Sequence, residues 1–328
     1  MPNGRLEKET VAFKKIEEKV NTLPKVFYEY YYTLRAEKKS YRTIGEYINS
    51  IKLFMDYISK GDYAEDFYEN VSAIDINKYM ISLETKKVNG STKPTSSGFR
   101  ANQWYALNSF FEFLKDSGKI ESNPISKKSR PKITDNPSVT YLTEKEINDI
   151  IDNIKYNAKD TLVNRDLCIF MLGVTTGLRV AAITQIDLDD INLDKCTIRV
   201  IEKRNKSFDV MFGSNVKKIL IDWICDRRKY FKNVDTNALF VSQFGKRISY
   251  DVVRDLLIKY ADGVTTKKVR PHVMRHTCAT NLYEKTGDIY LTSAQLHHSN
   301  VTTTQRYAEI SDKSKERAMS ILDELVKE

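Results

Sequence analysis

The sequence predicts a mostly α-helical protein of two domains: a helical N-terminal domain, and an α-rich second domain that contains a small antiparallel β-sheet. Three observations predict this fold class. A chain of 328 residues suits two domains better than one. Apolar residues recur at three- and four-residue spacing along most of the chain, which indicates amphipathic helices. Alternation typical of β-strands is clearest in one short region near residue 200.

The N-terminal domain is predicted to cover residues 1–122. Helical periodicity extends over residues 26–119, and antiparallel helices would bury these apolar stripes against one another. Residues 1–22 predict one more amphipathic helix. Its apolar face is thin, so we expect it to order only against a partner.

A linker is predicted at residues 123–140, because the stretch contains three prolines and four basic side chains with little apolar content. The second domain is predicted at residues 141–310. Thr143 and Glu146 have the spacing of a capping box that opens its first helix.

Within the second domain, CTIRVIEK and SFDVMF, joined by a short polar turn, predict a β-hairpin. The run ALFVS at 238–242 predicts either a strand or a packed loop. Residues 311–328 predict a C-terminal helix with one apolar stripe.

Charge and cysteine content narrow the class of protein. The 53 Lys and Arg exceed the 44 Asp and Glu, and the net charge of +9 favours a polyanionic partner. The four cysteines are widely spaced and lack metal-ligand spacing, so we expect reduced thiols. Because no apolar stretch is long enough to cross a bilayer, we expect a cytoplasmic protein with no membrane partner.

Four segments carry the candidate chemistry: TTGLRVAAI, IRVIEKRNK, HVMRHTCATNL and LHHSNVTTTQRY, in that order. Taken singly, an HxxR pair or one tyrosine out of 19 is most often helix surface or packing. Together they resemble the active-site boxes of the tyrosine recombinase, or phage integrase, family, which includes Xer-like recombinases and short mobile-element integrases. The resemblance implies a SAM-like core-binding domain and a catalytic domain of the DNA breaking-rejoining fold.

The resemblance assigns six catalytic residues: Arg179, Lys203, His272, Arg275, His298 and Tyr307. Attack on a phosphodiester builds negative charge on its non-bridging oxygens, which two permanently ionised, forked guanidiniums are suited to hold. Tyrosine has a pKa of about 10 and must lose its proton as it attacks. His272 is the candidate acceptor of that proton.

The leaving 5′ oxygen needs a proton, which a lysine on a hairpin can deliver. Lys203 matches the family position, and Lys206 is its rival. His298 would donate a hydrogen bond to the phosphate in the transition state. Its neighbour His297 stands where the family usually has glycine and is expected to face DNA or solvent.

Two departures from the family pattern affect the expected site. Ala182 stands where an acidic residue is common, three positions after the first arginine, so the support of that carboxylate is absent. Glu202 and Arg204 replace glycines that usually flank the hairpin lysine, which predicts a stiffer turn or altered docking in the minor groove.

On this resemblance the protein is expected to cleave and rejoin DNA through a 3′-phosphotyrosine and a Holliday junction. The task would be integration and excision of a mobile element, or resolution of DNA dimers. Its expected partners are double-stranded DNA recombination sites, a homotetramer on two duplexes, and accessory DNA-bending or directionality proteins. No cofactor is expected, neither metal nor ATP. The helix at 311–328 would dock on a neighbouring subunit, with packing on its own domain as the alternative. When bound to DNA, the protein is expected to be nucleoid-associated.

Further DNA contacts are predicted at basic residues in loops or helix starts, each of which could equally be a solvated surface charge: Lys93, Arg100, Lys127, Lys128, Arg130, Lys132, Lys206, Arg247 and Arg270. Three alternative functions remain. A type IB topoisomerase-like enzyme would relax supercoils without pairing two sites. A catalytically decayed DNA-binding protein would form no adduct, an alternative that Ala182 keeps open. A metal-dependent nuclease or structural helical protein would lack the ordered boxes.

Overall fold

A computed structural model gives the fold of the chain. It describes residues 3–59, 64–88, 90–133, 139–201, 207–232, 234, 236–297 and 304. The chain divides into two compact units, Met1–Pro137 and Ser138–Glu328, and this boundary lies inside the predicted linker. Within the described ranges, no helix has both the length and the apolar character needed to cross a membrane.

The described residues of unit 1 form five α-helices, and its periodicity predicts a helical domain. They are α1 (Asn3–Val20), α2 (Lys25–Ala36), α3 (Tyr41–Ser59), α4 (Ala73–Ser82) and α5 (Ser97–Asp116). The apolar stripe of α3, which includes Ile44, Ile48 and Ile51, is fully buried. Phe54 and Phe110 belong to the same core, whose largest members are aromatic.

The first helix packs on its own unit. The hydroxyl of Tyr31 donates to the carbonyl of Phe13 at 3.2 Å, and the Arg35 guanidinium lies 4.2 Å from the centre of the Phe13 ring. Val20, the last residue of α1, is fully buried. The partner that a thin apolar face requires is therefore supplied by α2 and α3.

A β-hairpin interrupts the region that the periodicity predicts to be helical. Strands β1 (Thr85–Val88) and β2 (Ser91–Pro94) pair antiparallel, with Lys86 opposite Lys93. The sequence between the strands is Asn-Gly, and Gly90 has a φ of +79°. Asn-Gly is the strongest short-range signal for a two-residue hairpin turn, and it outweighs the helical pattern on either side.

The first part of the predicted linker packs on unit 1. Ile125 is 6% exposed and belongs to the core of that unit. The Trp104 indole donates to the hydroxyl of Ser129 at 3.2 Å, at the end of a short 3-10 helix, Lys127–Ser129. These residues are thus anchored on one domain, although their composition is that of a linker.

Unit 2 is also mainly helical. Its helices are α6 (Glu144–Asn157), α7 (Val163–Thr176), α8 (Val180–Ile183), α9 (Ser214–Tyr230), α10 (Tyr250–Ala261), α11 (Pro271–Thr286) and α12 (Ile289–Gln295). The predicted capping box is confirmed, since the Thr143 side chain accepts from the Glu146 amide and the Glu146 carboxylate accepts from the Thr143 amide. Helix α7 is buried on most sides and packs on α6, α9 and α11.

A three-stranded antiparallel sheet lies in unit 2, with the order β3 (Ile191–Asn192), β4 (Thr197–Ile201) and β5 (Ser207–Met211). The β4–β5 pair confirms the predicted hairpin. Residues 238–242 form a packed segment with two isolated bridges, Asp187 to Ala238 and Val241 to Arg247, and the packed-loop alternative is the better description.

Candidate active site

The TGLR segment is a tight turn between α7 and α8. Gly177 ends α7 with a φ of +67°, a left-handed conformation that favours glycine. A Cβ there would also lie 2.5 Å from a methyl group of Leu296. Leu178 is 4% exposed and anchors the turn in the core, while the next residue, Arg179, caps α8 and is exposed. The turn thus presents the first predicted arginine at the surface of the unit.

Arg275 lies in α11 and is only 7% exposed. One terminal nitrogen donates to the carbonyl oxygen of Gly177 at 2.7 Å, and the other donates to that of Leu296 at 2.6 Å. Two backbone segments distant in sequence are therefore held by one guanidinium. Its charge is placed between the TGLR turn and the end of α12.

His272 is in the first turn of α11, three residues before Arg275, and is exposed. Residues three apart on a helix lie on one face, so this pair is brought together by local structure alone. The His276 ring lies beside that of His272, with their centres 6.5 Å apart.

Burial raises the pKa of the Cys278 thiol to about 12, although the charge of Arg275 opposes the shift. The thiol donates to the carbonyl oxygen of Thr175 at 3.4 Å. Cys278 is therefore neutral near pH 7 and serves as packing beneath the TGLR turn. All four cysteines are free, as their spacing predicts.

The segment before α11 is held on α6 by Glu146. Burial alone would raise the pKa of this carboxyl, but hydrogen bonds from Lys267, Thr265 and the Thr143 amide and hydroxyl lower it to about 2. Lys267 donates to the Glu146 carboxylate at 2.6 Å and to the carbonyl of Tyr141 at 2.8 Å. The ion pair fixes the approach to the helix that carries His272 and Arg275.

The end of α12 contacts the β4–β5 hairpin. The ring of His297 lies 3.9 Å from that of Phe208, centre to centre, at an interplanar angle of 31°. His297 is exposed overall, as expected of a residue that faces DNA or solvent, and it makes this contact in addition. The sequence alone does not predict that His297 contacts Phe208.

Four predicted residues lie outside the described ranges: Lys203, Lys206, His298 and Tyr307. The C-terminal helix predicted at 311–328 lies outside them as well. Of the six predicted catalytic residues, the structure therefore places Arg179, His272 and Arg275. Their elements meet at the guanidinium of Arg275.

The predicted DNA contacts have varied surroundings. Six are exposed: Lys93, Lys127, Lys128, Arg130, Lys132 and Arg270. Arg130 lies 4.8 Å from the centre of the Tyr105 ring. Arg100 is half-buried, and its Nε is buried without a hydrogen-bond partner among the described residues. Arg247 pairs with the Asp187 carboxylate and donates to the carbonyl oxygens of Thr184 and Ile186. Of these residues, Arg247 is the least suited to meet a phosphate.

Two basic residues that the helical interpretation missed are Lys86 and Lys87, both exposed on β1. Asn-Gly at 89–90 was the signal that could have revealed their hairpin. In the part of the chain that the structure describes, no three His, Cys, Asp or Glu side chains are grouped to hold a metal ion.

Comparison with known proteins gives the same picture in sequence and in fold. The phage integrase family model matches residues 140–314. Tyrosine recombinase XerC of Caldanaerobacter subterraneus is 31% identical over 315 residues, which cover 90% of this chain and 84% of that protein. XerC of Corynebacterium glutamicum is 32% identical over 65% of this chain and 68% of its own length.

Among solved structures, the XerH site-specific recombinase bound to palindromic difH substrate, in a post-cleavage complex, matches with a TM-score of 0.72. The match has 22% sequence identity and covers 88% of this chain and 82% of that one. It shows that the two chains share a fold. With a family model that matches more than half of its length and a relative aligned over nearly all of it, the chain belongs to the phage integrase family of tyrosine recombinases, DNA-binding enzymes of DNA recombination.

Proposed function

We propose that the protein is a site-specific recombinase that cleaves and rejoins DNA through a 3′-phosphotyrosine at Tyr307. The observation that carries the proposal is the buried guanidinium of Arg275, bonded to the carbonyl oxygens of Gly177 and Leu296. In sequence, Gly177 precedes Arg179 by two residues and Leu296 precedes His298 by two. A single side chain thus joins three of the four boxes.

The proposed chemistry assigns one task to each group. Tyr307 attacks phosphorus as its phenolic proton passes to His272, and the bond from phosphorus to the 5′ oxygen breaks. Arg179 and Arg275 stabilise the charge on the non-bridging oxygens. Because Arg275 is already fixed by backbone carbonyls, little reorganisation is needed when the phosphate arrives.

The remaining groups complete the proton transfers. Lys203 protonates the leaving 5′ oxygen, with Lys206 as its rival, and His298 donates a hydrogen bond to the phosphate. A second 5′-hydroxyl then attacks the phosphotyrosine and releases Tyr307. Since the phosphotyrosine conserves the energy of the phosphodiester, we propose that neither ATP nor metal is required. Adduct formation that EDTA abolishes and Mg²⁺ restores would contradict this.

The decisive experiment maps the covalent junction on DNA that flanks the gene at its native locus. Wild-type protein should form an adduct resistant to denaturation, and the mapped phosphate defines the recombination site. Tyr307→Phe should bind that site and form no adduct. A Tyr307→Phe protein that still cleaves would refute the assignment.

The two arginines provide a second arm of the experiment. Arg179→Ala should lose cleavage by about a hundredfold or more while binding is largely kept. Arg179 is exposed, so this change should leave the fold intact. Arg275→Ala should lose cleavage as well and should also lower the thermal stability, since it removes two buried hydrogen bonds.

The position of the mapped junction also separates the two biological tasks. A junction at the boundary of a mobile element that carries the gene supports integration and excision. A junction at a chromosomal or plasmid dimer site supports dimer resolution.

A second candidate function rests on Ala182, which is half-buried in α8 at the position where the family commonly has an acidic residue. This departure favours a DNA-binding protein that has lost its chemistry. Such a protein would bind DNA that flanks the gene specifically, yet wild type would form no adduct on it. Ala182→Asp or Ala182→Glu should restore adduct formation only in that case.

We propose that the β1–β2 hairpin is part of the DNA surface. Lys86, Lys87 and Lys93 are exposed, and Lys86 faces Lys93 directly across the ribbon. Like charges in this position are unfavourable unless a polyanion lies against them. A two-stranded ribbon also fits the major groove of B-DNA. Arg100, in the first turns of the following helix α5, would add a further cation.

Assembly is proposed to be a tetramer on two duplexes, coupled through the helix at 311–328, with accessory DNA-bending or directionality proteins as further partners. On the mapped DNA, Leu325→Asp should prevent crosslinking beyond the dimer while single-site binding persists. Normal assembly of Leu325→Asp would leave packing on its own domain as the role of this helix.

A further inference from the structure

The last turn of α12 ends in a left-handed backbone conformation that is uncommon for residues other than glycine. The amide of His297 donates to the carbonyl of Ala294 at 3.0 Å, and His297 has a φ of +51°. A left-handed residue just after a helix is usually glycine, because a Cβ is sterically unfavourable there. The family pattern has glycine at this position as well. A histidine here is therefore tolerated at a conformational cost, and its ring is the group that could offset that cost.

The ring makes a close contact with the β4–β5 hairpin. The ring packs against that of Phe208, with the ring centres 3.9 Å apart and the planes tilted by 31°. Phe208 is half-buried, pairs with Val200 across the β4–β5 ladder, and projects on the same face as the buried Val210. The contact therefore joins the core-facing side of the hairpin, near its turn, to the end of α12.

Both partners are adjacent to groups that the proposed chemistry uses. Phe208 is the second residue of β5, and the paired strand β4 ends at Ile201. In sequence, Lys203 comes two residues after Ile201. On the other side, the carbonyl of Leu296, the residue before His297, accepts the 2.6 Å hydrogen bond from Arg275. The contact between His297 and Phe208 thus connects two parts of the unit. One is the β4–β5 hairpin, and the other is the backbone at Leu296 that Arg275 holds.

We propose that His297 is a positioning residue: its ring, packed against Phe208, fixes the β4–β5 hairpin relative to Arg275 and so directs Lys203 to the leaving 5′ oxygen. The inference rests on the proposed function. A glycine at 297 would relax the backbone but would leave the hairpin without this contact. Histidine at this position is therefore less favourable for the backbone than glycine, but its ring links the segment held by Arg275 to the hairpin that leads to Lys203.

The test measures single-turnover adduct formation by His297→Gly on the mapped duplex, at saturating protein. We expect a rate about tenfold below wild type, because misplacing a general acid loses part of its contribution. Binding should be unchanged. Thermal stability should be equal or higher, since glycine suits the left-handed backbone.

A modified substrate separates proton donation from other effects. In a duplex with a 5′-bridging sulfur at the mapped phosphate, the leaving group is a thiolate, whose conjugate acid has a pKa of about 8.5 for cysteine, so it departs without a proton donor. On this substrate His297→Gly should cleave within about twofold of wild type, as expected when only a general-acid step is impaired. An equal defect on both substrates would overturn the proposal.

Three further variants distinguish the ring from the backbone. His297→Asn retains a residue that tolerates the left-handed conformation but removes the ring, and should behave like His297→Gly. Phe208→Tyr keeps an aromatic ring against His297 and should cleave like wild type. The double variant His297→Gly with Phe208→Ala should cleave no more slowly than the slower of its two single variants, because both changes remove the same contact.

His297→Gly cleaving the ordinary duplex at the wild-type rate would also overturn the proposal. The proposed recombinase function fails differently, since in that case wild type itself forms no adduct on the flanking DNA and no phosphate can be mapped.

Discussion

In the part of the chain that the structure describes, the β1–β2 and β4–β5 hairpins are stabilised in different ways. In the β4–β5 hairpin one face is buried, with Ile198, Val200 and Val210 at 0–3% exposure. In the β1–β2 hairpin the described side chains of both strands are exposed. Hydrophobic burial is the main stabilising term available to a short ribbon, and a two-stranded hairpin alone is only marginally stable in water.

This difference matches the tasks proposed for the two hairpins. A general acid must be held within tenths of an ångström of its target, so its hairpin is fixed to a core and to α12. A ribbon that contacts DNA phosphates needs only positive side chains long enough to approach them, and binding to the duplex can stabilise its conformation. The comparison predicts opposite responses to substitution.

The largest effect is expected on the buried face of β4. Ile198→Ala should lower the free energy of unfolding of unit 2 by about 3 kcal/mol, because it leaves a cavity in a fully buried site. Tryptophan fluorescence can report on this unit alone in a Trp104→Phe background, since the other tryptophan, Trp223, is fully buried in unit 2. Met211→Ala, on the exposed face of β5, is the control and should change stability by less than about 0.5 kcal/mol. Equal losses of unfolding free energy in Ile198→Ala and Met211→Ala would mean that burial in the core does not stabilise this hairpin.

A somewhat smaller loss is expected from Glu146→Gln, which breaks the link between α6 and the segment before α11. The pKa of Glu146 is lowered in the folded protein, so its stabilisation is present above the unfolded value of 4.5 and is lost as the pH falls toward about 2. The loss should be on the order of 2 kcal/mol at pH 7 and should disappear near pH 2.

Urea unfolding at several pH values measures this dependence. Glu144→Gln serves as the control, because Glu144 is exposed and pairs with the equally exposed Lys285. A pH-independent difference between Glu146→Gln and wild type would contradict the carboxylate's role.

The exposed hairpin should instead affect DNA binding. Replacing Lys86, Lys87 and Lys93 together by alanine should weaken binding about tenfold at physiological salt. The slope of log K against log salt should fall by up to about 2.7, or about 0.9 for each phosphate that a lysine no longer neutralises. Stability should barely change.

The matched control removes the same charge from lysines already paired with carboxylates in unit 1. These are Lys52, Lys115 and Lys119. If the slope falls equally in both triple variants, the hairpin supplies only net charge and does not bind particular phosphates.

The smallest effect is expected at Lys86, where one substitution should change hairpin stability and DNA binding in opposite directions. Lys86→Glu converts the like-charged pair with Lys93 into an opposite-charged pair, and should stabilise the hairpin by a few tenths of a kcal/mol while weakening DNA binding. Hydrogen exchange of the hairpin amides measures the first effect and a binding titration the second. Lys86→Gln only removes the repulsion. Its hairpin stability and its DNA affinity should both lie between those of wild type and Lys86→Glu.

Features encoded by near neighbours could be read from the sequence. The apolar stripe of α3, the capping box of Thr143 and Glu146, and the β4–β5 hairpin follow from spacing within a few residues, and the structure confirms them. The order of the four boxes, with Arg179 and Arg275 in two of them, was enough to indicate the family. The Asn-Gly turn at 89–90 was also local, but the helical pattern on both sides concealed it.

Only the tertiary structure decided the contacts between residues far apart in the chain. Packing on α2 and α3 orders α1, and the Arg275 guanidinium meets the carbonyls of Gly177 and Leu296. The ring of His297 packs against Phe208, a contact that the sequence does not predict. The physical reason is that hydrogen bonding within a helix or hairpin depends on residues close in sequence, whereas these contacts depend on how whole elements pack against one another.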